Sequence, residues 1–554
     1  GMYDTKEWNK TAPQYDLEGN KGPDFPVSLQ YTTSNNRMWT MQYFVDYNRS
    51  FLDETHNVSA TLGYEQSYAF GRGFDAKRKN YIFMIDQMGA GPSDTMENGG
   101  SEWERGSAGL VARASYNYKK KYYIEGSLRH DGSDLFPKDR RWGNFFSGSA
   151  AWAVSEEGFF QPLKERNILN FLKLRASYGQ VGMADVSRFS YLTSYGLTER
   201  GYVIDGKIVP TFSEGNLISD DITWYTINST DIGFDFNTLG ERLSGSFDYF
   251  YMKTTGYLTS PSNVGYADPL GLSLPKVKSN GEHRRAGYEF SLSWKDHVGD
   301  FNYEVGANFT YFDQLVAVAW DEDLANQKNP YLRQVQQTGY YGTGYTNLGY
   351  YQNSDQTLNL PRRDGSSNLV AGDIIYKDMN GDGVIDELDK TNCGNNVPKV
   401  TWGLTNNFSY KGIELSIFMD GVSKCNLINL GKKETTQSRG NVRGYWRDRW
   451  RSPEQPGNGR VPRACTTDNL TTPSDWWLED ASFWRIRNIN IAYNFPQSLM
   501  SKISFISNCR IYFSMDNVYM HDHYNHMAQN APFSNSNLTP GVDYDSGYPL
   551  ARTY

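Results

Sequence analysis

The chain has 554 residues, a formal net charge of −8, only four cysteines, and 38% hydrophobic and 15% aromatic residues. Its mildly acidic balance and scattered Lys and Arg argue against a nucleic-acid partner, and its aromatic richness argues against disorder. No apolar run is long enough for a membrane-spanning helix, whereas 40 Tyr, 29 Phe and 52 Gly favour strands and tight turns.

Gly1-Met2 leads directly into polar sequence, without the charged and apolar segments of a secretory leader. This start reads as a fragment boundary or a tag scar, and residues 1–37 read as an extracellular-type loop segment. From residue 38 the dominant signal is alternation with period two. Fourteen strands are expected, starting near residues 38, 56, 106, 121, 145, 169, 224, 242, 284, 301, 399, 413, 483 and 509. In one of them Tyr288, Phe290, Leu292 and Trp294 share a face, opposite Glu289, Ser291, Ser293 and Lys295. Tyr303, Val305, Ala307, Phe309 and Tyr311 repeat the pattern in the next, and Ile413, Leu415, Ile417 and Met419 in a later one.

Connections alternate between short and long. Residues 51–55, 119–120, 237–241, 296–300 and 410–412 are short; 71–105, 180–223, 257–283, 314–398 and 424–482 are long, and 519–554 follows as a tail. A large sandwich or propeller has no reason to keep that rhythm, whereas an outer-membrane barrel has short turns at one end and long loops at the other. The expected fold is therefore all-β: a transmembrane antiparallel β-barrel, apolar toward lipid and polar toward a wet interior. No Pro-rich or Ser-rich linker divides it.

Several strings go beyond pattern. They include "RHDGSDLFPKDRRWGNFFSGSAAWAVSEEGFF", "LKLRASYGQVG", "ITWYTINSTDIGFDF", "AGDIIYKDMNGDGVIDELD", "WWLEDASFWRIRNINIAYNFP" and "GYPLARTY". In this order they resemble the C-terminal barrel portion of SusC/RagA-type TonB-dependent outer-membrane transporters of the Bacteroidetes. The resemblance implies about the last fourteen strands of a barrel of about 22 with a plugged lumen. It further implies import of oligosaccharides or peptides, energised by TonB–ExbB–ExbD through an N-terminal region, under a lid formed by a SusD-like lipoprotein. The plug, the first strands and the last strand of the family pattern are not found in this sequence. The chain accordingly reads as a fragment, with "GYPLARTY" as a lead-in to a final strand.

Three clusters are candidate sites. Asp378, Asn380, Asp382, Val384, Asp386 and Asp389 follow the spacing of a Ca²⁺ loop, with Gly383 at its turn position. Asp389 stands where a longer Glu is usual, and a plain polar turn accounts for the same residues. Tyr340, Tyr341, Tyr345, Tyr350 and Tyr351 crowd one long loop and are the substrate-stacking candidates. Trp446, Trp450, Trp476 and Trp477 in another loop are second stacking candidates, with girdle or loop packing as the alternative for each ring. His521, His523 and His526 form an H-x-H-x-x-H run better read as a polar loop than as a metal site.

The cysteines are too dispersed for a zinc ribbon, and no catalytic signature stands in a suitable context, so the chain reads as a non-enzyme. The leading expectation is an importer. A surface glycan-binding β-protein without transport is the alternative, and a β-fold glycoside hydrolase the third reading.

Overall fold

The computed structural model describes residues 2–9, 27–82, 85–215, 217–259, 274–320, 343–363, 369–392, 394–395, 397–429, 444–459, 461–464, 474–501, 506–523, 542–543 and 552–553. Fifteen strands form one antiparallel meander, each paired with its neighbours in chain order. They are β1 (Met2–Asn9), β2 (Ser28–Phe51), β3 (His56–Arg78), β4 (Glu97–Tyr118) and β5 (Tyr122–Ser133). Next come β6 (Trp142–Ala153), β7 (Leu169–Met183), β8 (Tyr225–Thr238), β9 (Leu243–Thr255) and β10 (Glu282–Val298). The last are β11 (Phe301–Val318), β12 (Val400–Tyr410), β13 (Ile413–Ser423), β14 (Phe483–Asn494) and β15 (Arg510–Asp522). Among the described residues no ladder joins β1 to β15, so the sheet is open there. Thr553 makes an antiparallel bridge to Asp516 of β15.

The register turns alternation into two surfaces. Phe234, Phe247, Phe290, Phe309 and Trp402 lie opposite one another on five successive strands. On the other face, Ser246, Ser291, Asn308 and Gly403 form the matching polar row. The apolar row belongs to a wide exposed belt that includes Tyr43, Val45, Leu62, Ile124, Ile232, Ile491 and Ile511, a surface that water does not favour. Aromatic rings rim the belt at both ends. Tyr118, Tyr122 and Trp152 sit at 6.4 Å centroid spacings near the short turns. Trp39 and Tyr68, at 5.9 Å, mark the opposite edge.

Short and long connections segregate as expected. Lys411-Gly412 is a two-residue turn with φ of 45° and 90°, the pair of positive values a type I′ hairpin requires. A Cβ on Gly412 would sit 2.6 Å from the Asn494 carbonyl, so glycine is dictated by space as well.

The expectation for the start of the chain needs correcting. Residues 2–9 and 28–37 are strand: Met2–Asn9 pairs with Ser28–Asn35, adding a fifteenth strand, and β2 begins ten residues before residue 38. The long connections are also shorter than expected. β3 runs to Arg78 and β4 starts at Glu97, β11 reaches Val318, and β15 reaches Asp522. Residues 180–223 contain a hairpin of their own, Tyr195–Ile204 against Lys207–Glu214. These strand ends stand beyond the aromatic rim with water on both faces, so nothing selects alternation there.

Candidate functional site

Two features can meet a ligand: the polar face of the sheet and the loops at its long-connection end. The polar face is organised by lateral ion pairs. Arg175 reaches Asp248 at 2.7 Å and Asp235 at 3.3 Å, with Asp231 at 3.6 Å. Arg485 forks onto both oxygens of Asp420 at 2.8 and 3.0 Å, the bidentate geometry that fixes a guanidinium in place. Arg113–Glu125 at 2.7 Å continues the pattern. The strand register places these residues on one face. The pairs themselves depend on inter-strand register, which one sequence does not display.

At the long-connection end, the described residues of 343–392 and 444–480 interlock around a small core of Tyr345, Tyr350, Ile374, Tyr376, Ile385, Trp446, Val461 and Trp476. Buried Asp373, 1% exposed, is held by Arg463 at 2.6 and 3.3 Å, tying the two segments together. Trp450 lies over Gly372, whose φ is +90° and whose added Cβ would fall 2.3 Å from the indole. The Trp476 indole N–H donates to the Tyr350 hydroxyl at 3.0 Å. Burial pushes the Tyr345 and Tyr350 hydroxyls up to about 12. Burial also raises Asp475, although its carboxylate accepts the Asn347 N–H at 2.8 Å.

The tyrosine candidates are thereby relocated. Tyr345, Tyr350 and Tyr351 are only 4%, 5% and 2% exposed; their rings are spent on packing and leave no free face for a sugar. Tyr340 and Tyr341 lie outside the described residues. Trp446, Trp450 and Trp476 are buried beside them, in the structural role weighed as their alternative. Sequence pattern missed this because the partners are distant along the chain, 126 residues apart for Tyr350 and Trp476.

The Asp378–Asp389 segment folds as a compact turn on the same lobe. Asp378 accepts the N–H groups of Gly381 and Gly383 at 2.6 and 2.8 Å, which holds its carboxyl below the usual range. Asp382 accepts from Val384 at 2.8 Å, and Asp386 accepts from Leu388 at 2.8 Å. Asp389, fully buried, accepts from Met379 at 2.7 Å and Asp386 at 2.8 Å. The donor set, all hard oxygens, suits Ca²⁺, and a carboxylate oxygen that accepts one N–H keeps a lone pair. The expected convergence on one point is not what the structure shows. Among the described residues no three Asp, Glu, His or Cys side chains are grouped to hold a metal, because Asp389 turns inward to bind backbone N–H groups.

The ring centroids of His521 and His523 are 5.7 Å apart, and His526 lies outside the described residues. Cys425 is a free thiol pushed up to about 12 by burial; Cys509 is also free, and Cys393 and Cys465 lie outside the described residues.

A family model described as "TonB dependent receptor-like, beta-barrel" matches residues 1–518. The chain is 26% identical to TonB-dependent receptor P3 of Formosa agariphila over 95% of its own length and 52% of that protein. It is 24% identical to TonB-dependent receptor SusC of Bacteroides thetaiotaomicron, over 80% of this chain and 42% of SusC. In fold it is similar to a chain of the RagAB peptide transporter, with a TM-score of 0.79 at 18% identity, covering 100% of this chain and 58% of that one. The chain spans about half the length of the curated relatives it matches.

Proposed function

The chain belongs to the TonB-dependent receptor-like β-barrel family, in its SusC/RagA branch, and is a protein of the outer membrane; from that premise we propose that the whole protein is a TonB-dependent importer. The cargo is an oligosaccharide or a peptide, TonB–ExbB–ExbD supplies the energy through the N-terminal region, and a SusD-like lipoprotein covers the mouth. The observation that carries this reading is the two-faced sheet. One face is a belt fit for outer-membrane lipid, and the other is lined by laterally paired charges fit for polar cargo. Nothing is done chemically to the cargo; the wall's role is to hold it loosely and let it pass.

The test is made in cells. Deleting the gene is expected to abolish uptake of one oligosaccharide or peptide class, and a protonophore is expected to stop that uptake while leaving surface binding intact. Binding without proton-driven uptake would instead support the surface glycan-binding alternative.

We also propose Ca²⁺ for the Asp378–Asp389 turn, on its donor set. Asp378, Asn380, Asp382, Asp386, the Val384 carbonyl and Asp389, the last swung off its backbone N–H groups, would hold the ion, which would stiffen the loop. EDTA is then expected to raise proteolytic nicking between residues 369 and 399. Unchanged nicking would leave the turn to its own N–H bonds.

A further inference from the structure

Strands β2, β3 and β4 run for 24, 23 and 22 residues, about twice what a bilayer crossing needs. Their outer aromatic rim is at Trp39 and Tyr68, paired with Gly106. Beyond it the three strands, with β1 paired along residues 28–35 of β2, rise as a wall. Register without bulges carries the polar face of the sheet up this wall, so Arg105, Trp103, Ser101 and Gly99 continue the face of Arg113.

Trp103 stands three residues above the rim, about 10 Å along the strand. It lies across Gly71, its partner on β3: a Cβ there would sit 2.3 Å from the indole Nε1 and 2.5 Å from Cε2. Gly71 is buried under the ring, while Trp103 itself is 42% exposed. The indole covers Gly71 and still leaves much of its surface to solvent. The Asn36 amide oxygen is also 2.3 Å from that same Cβ position, at the edge of the ring. Asp75 stands at Gly99 and Ser101 at Gly73 on the same face. Across β2–β4 this upper face carries Asp75 and Glu97 against Lys77 and Arg105, so it is charge-balanced.

We propose that Trp103 is a stacking platform for an uncharged oligosaccharide on the inner wall of the mouth. A planar apolar face flanked by the Asn36 amide and the Ser101 hydroxyl matches a sugar ring, which has a C–H face and an equatorial belt of hydroxyls. The absence of net charge favours a neutral ligand over a charged peptide. Gly71 is the positioning residue, since only a missing side chain lets the indole lie flat. The proposal rests on the importer reading and narrows its cargo.

The test uses the full-length protein in detergent, probed on an array of gluco-, manno-, xylo- and galacto-oligosaccharides together with a tryptic casein digest. Wild type is expected to bind at least one neutral oligosaccharide. Trp103→Ala is expected to weaken that binding about tenfold, as truncation of an aromatic anchor does, and Trp103→Phe to keep most of it. Gly71→Val is expected to reproduce the loss by lifting the ring while its own strand stays paired, with the heat-modifiable mobility of the barrel unchanged in all three. Binding to no oligosaccharide, binding only to peptides, or equal affinity in Trp103→Ala would each overturn the proposal. Proton-driven uptake with unaltered Trp103→Ala binding would sink this inference alone. Loss of binding in Trp103→Ala without any uptake in cells would sink the importer reading alone.

Discussion

At the scale of single residues, the lobe over the long-connection end hangs on a few buried polar contacts. Asp373 is buried and its carboxylate is matched by Arg463 from a segment 90 residues away. Arg463→Ala would strand that carboxylate, at a cost of about 3 kcal/mol. Limited proteolysis is expected to open the lobe in this variant while the sheet stays folded. The tyrosines of the same core set a pH limit. Tyr345 and Tyr350 are raised from 10.0 to about 12 by burial, so the folded lobe prefers the neutral phenols. Their contribution is complete below pH 10 and is lost as pH rises toward about 12. Absorbance of tyrosinate and protease sensitivity are expected to rise together across that window, and Tyr350→Phe should move its onset upward. None of this was legible in sequence. The crowding of Tyr and Trp in two loops was visible, but whether a ring faces water or a neighbour depends on contacts between loops, which carry no period.

At the scale of elements, strands inside the membrane could be read and strands outside it could not. Where one face meets apolar surroundings and the other water, the side chains record it: Ile232 and Phe234 alternate with Asp231, Gly233 and Asp235 on β8. β1 records nothing of the kind. Its sequence, MYDTKEWN, places charges at even and odd positions alike because it pairs only with the upper part of β2. The same reason hid the first ten residues of β2 and the upper ends of β3 and β4. The asymmetry of the two faces predicts the response to charge. Ile232→Arg, in the middle of the belt, is expected to lower stability by about 2–4 kcal/mol in a lipid bilayer. Ser229→Arg, on the polar face of the same strand, should be nearly neutral. Urea titration of the protein refolded into vesicles separates the two.

At the scale of the whole molecule, the rim of the sheet is uneven. β2–β4 are 22–24 residues long, whereas β12, β13 and β14 have 11, 11 and 12. The shorter flank carries the interlocked loops, and the taller one is topped by the β3–β4 connection, where Arg78 donates to the Gly91 carbonyl at 2.7 Å and Leu29 is buried. Above the rim, water wets both sides of the tall flank, so its cohesion comes from ladder hydrogen bonds and from exposed pairs such as Arg72–Glu102 at 2.7 Å, each worth well under about 1 kcal/mol. Fraying from the top is the thermodynamic default for such a ribbon. Amide exchange along β3 should therefore slow steadily from Arg78 toward His56, and added salt should steepen the gradient by screening the pairs. The tall flank behaves as a sail on a fixed mast: pliant at its free edge, taut where the bilayer grips it, and stiffened by whatever lies across it.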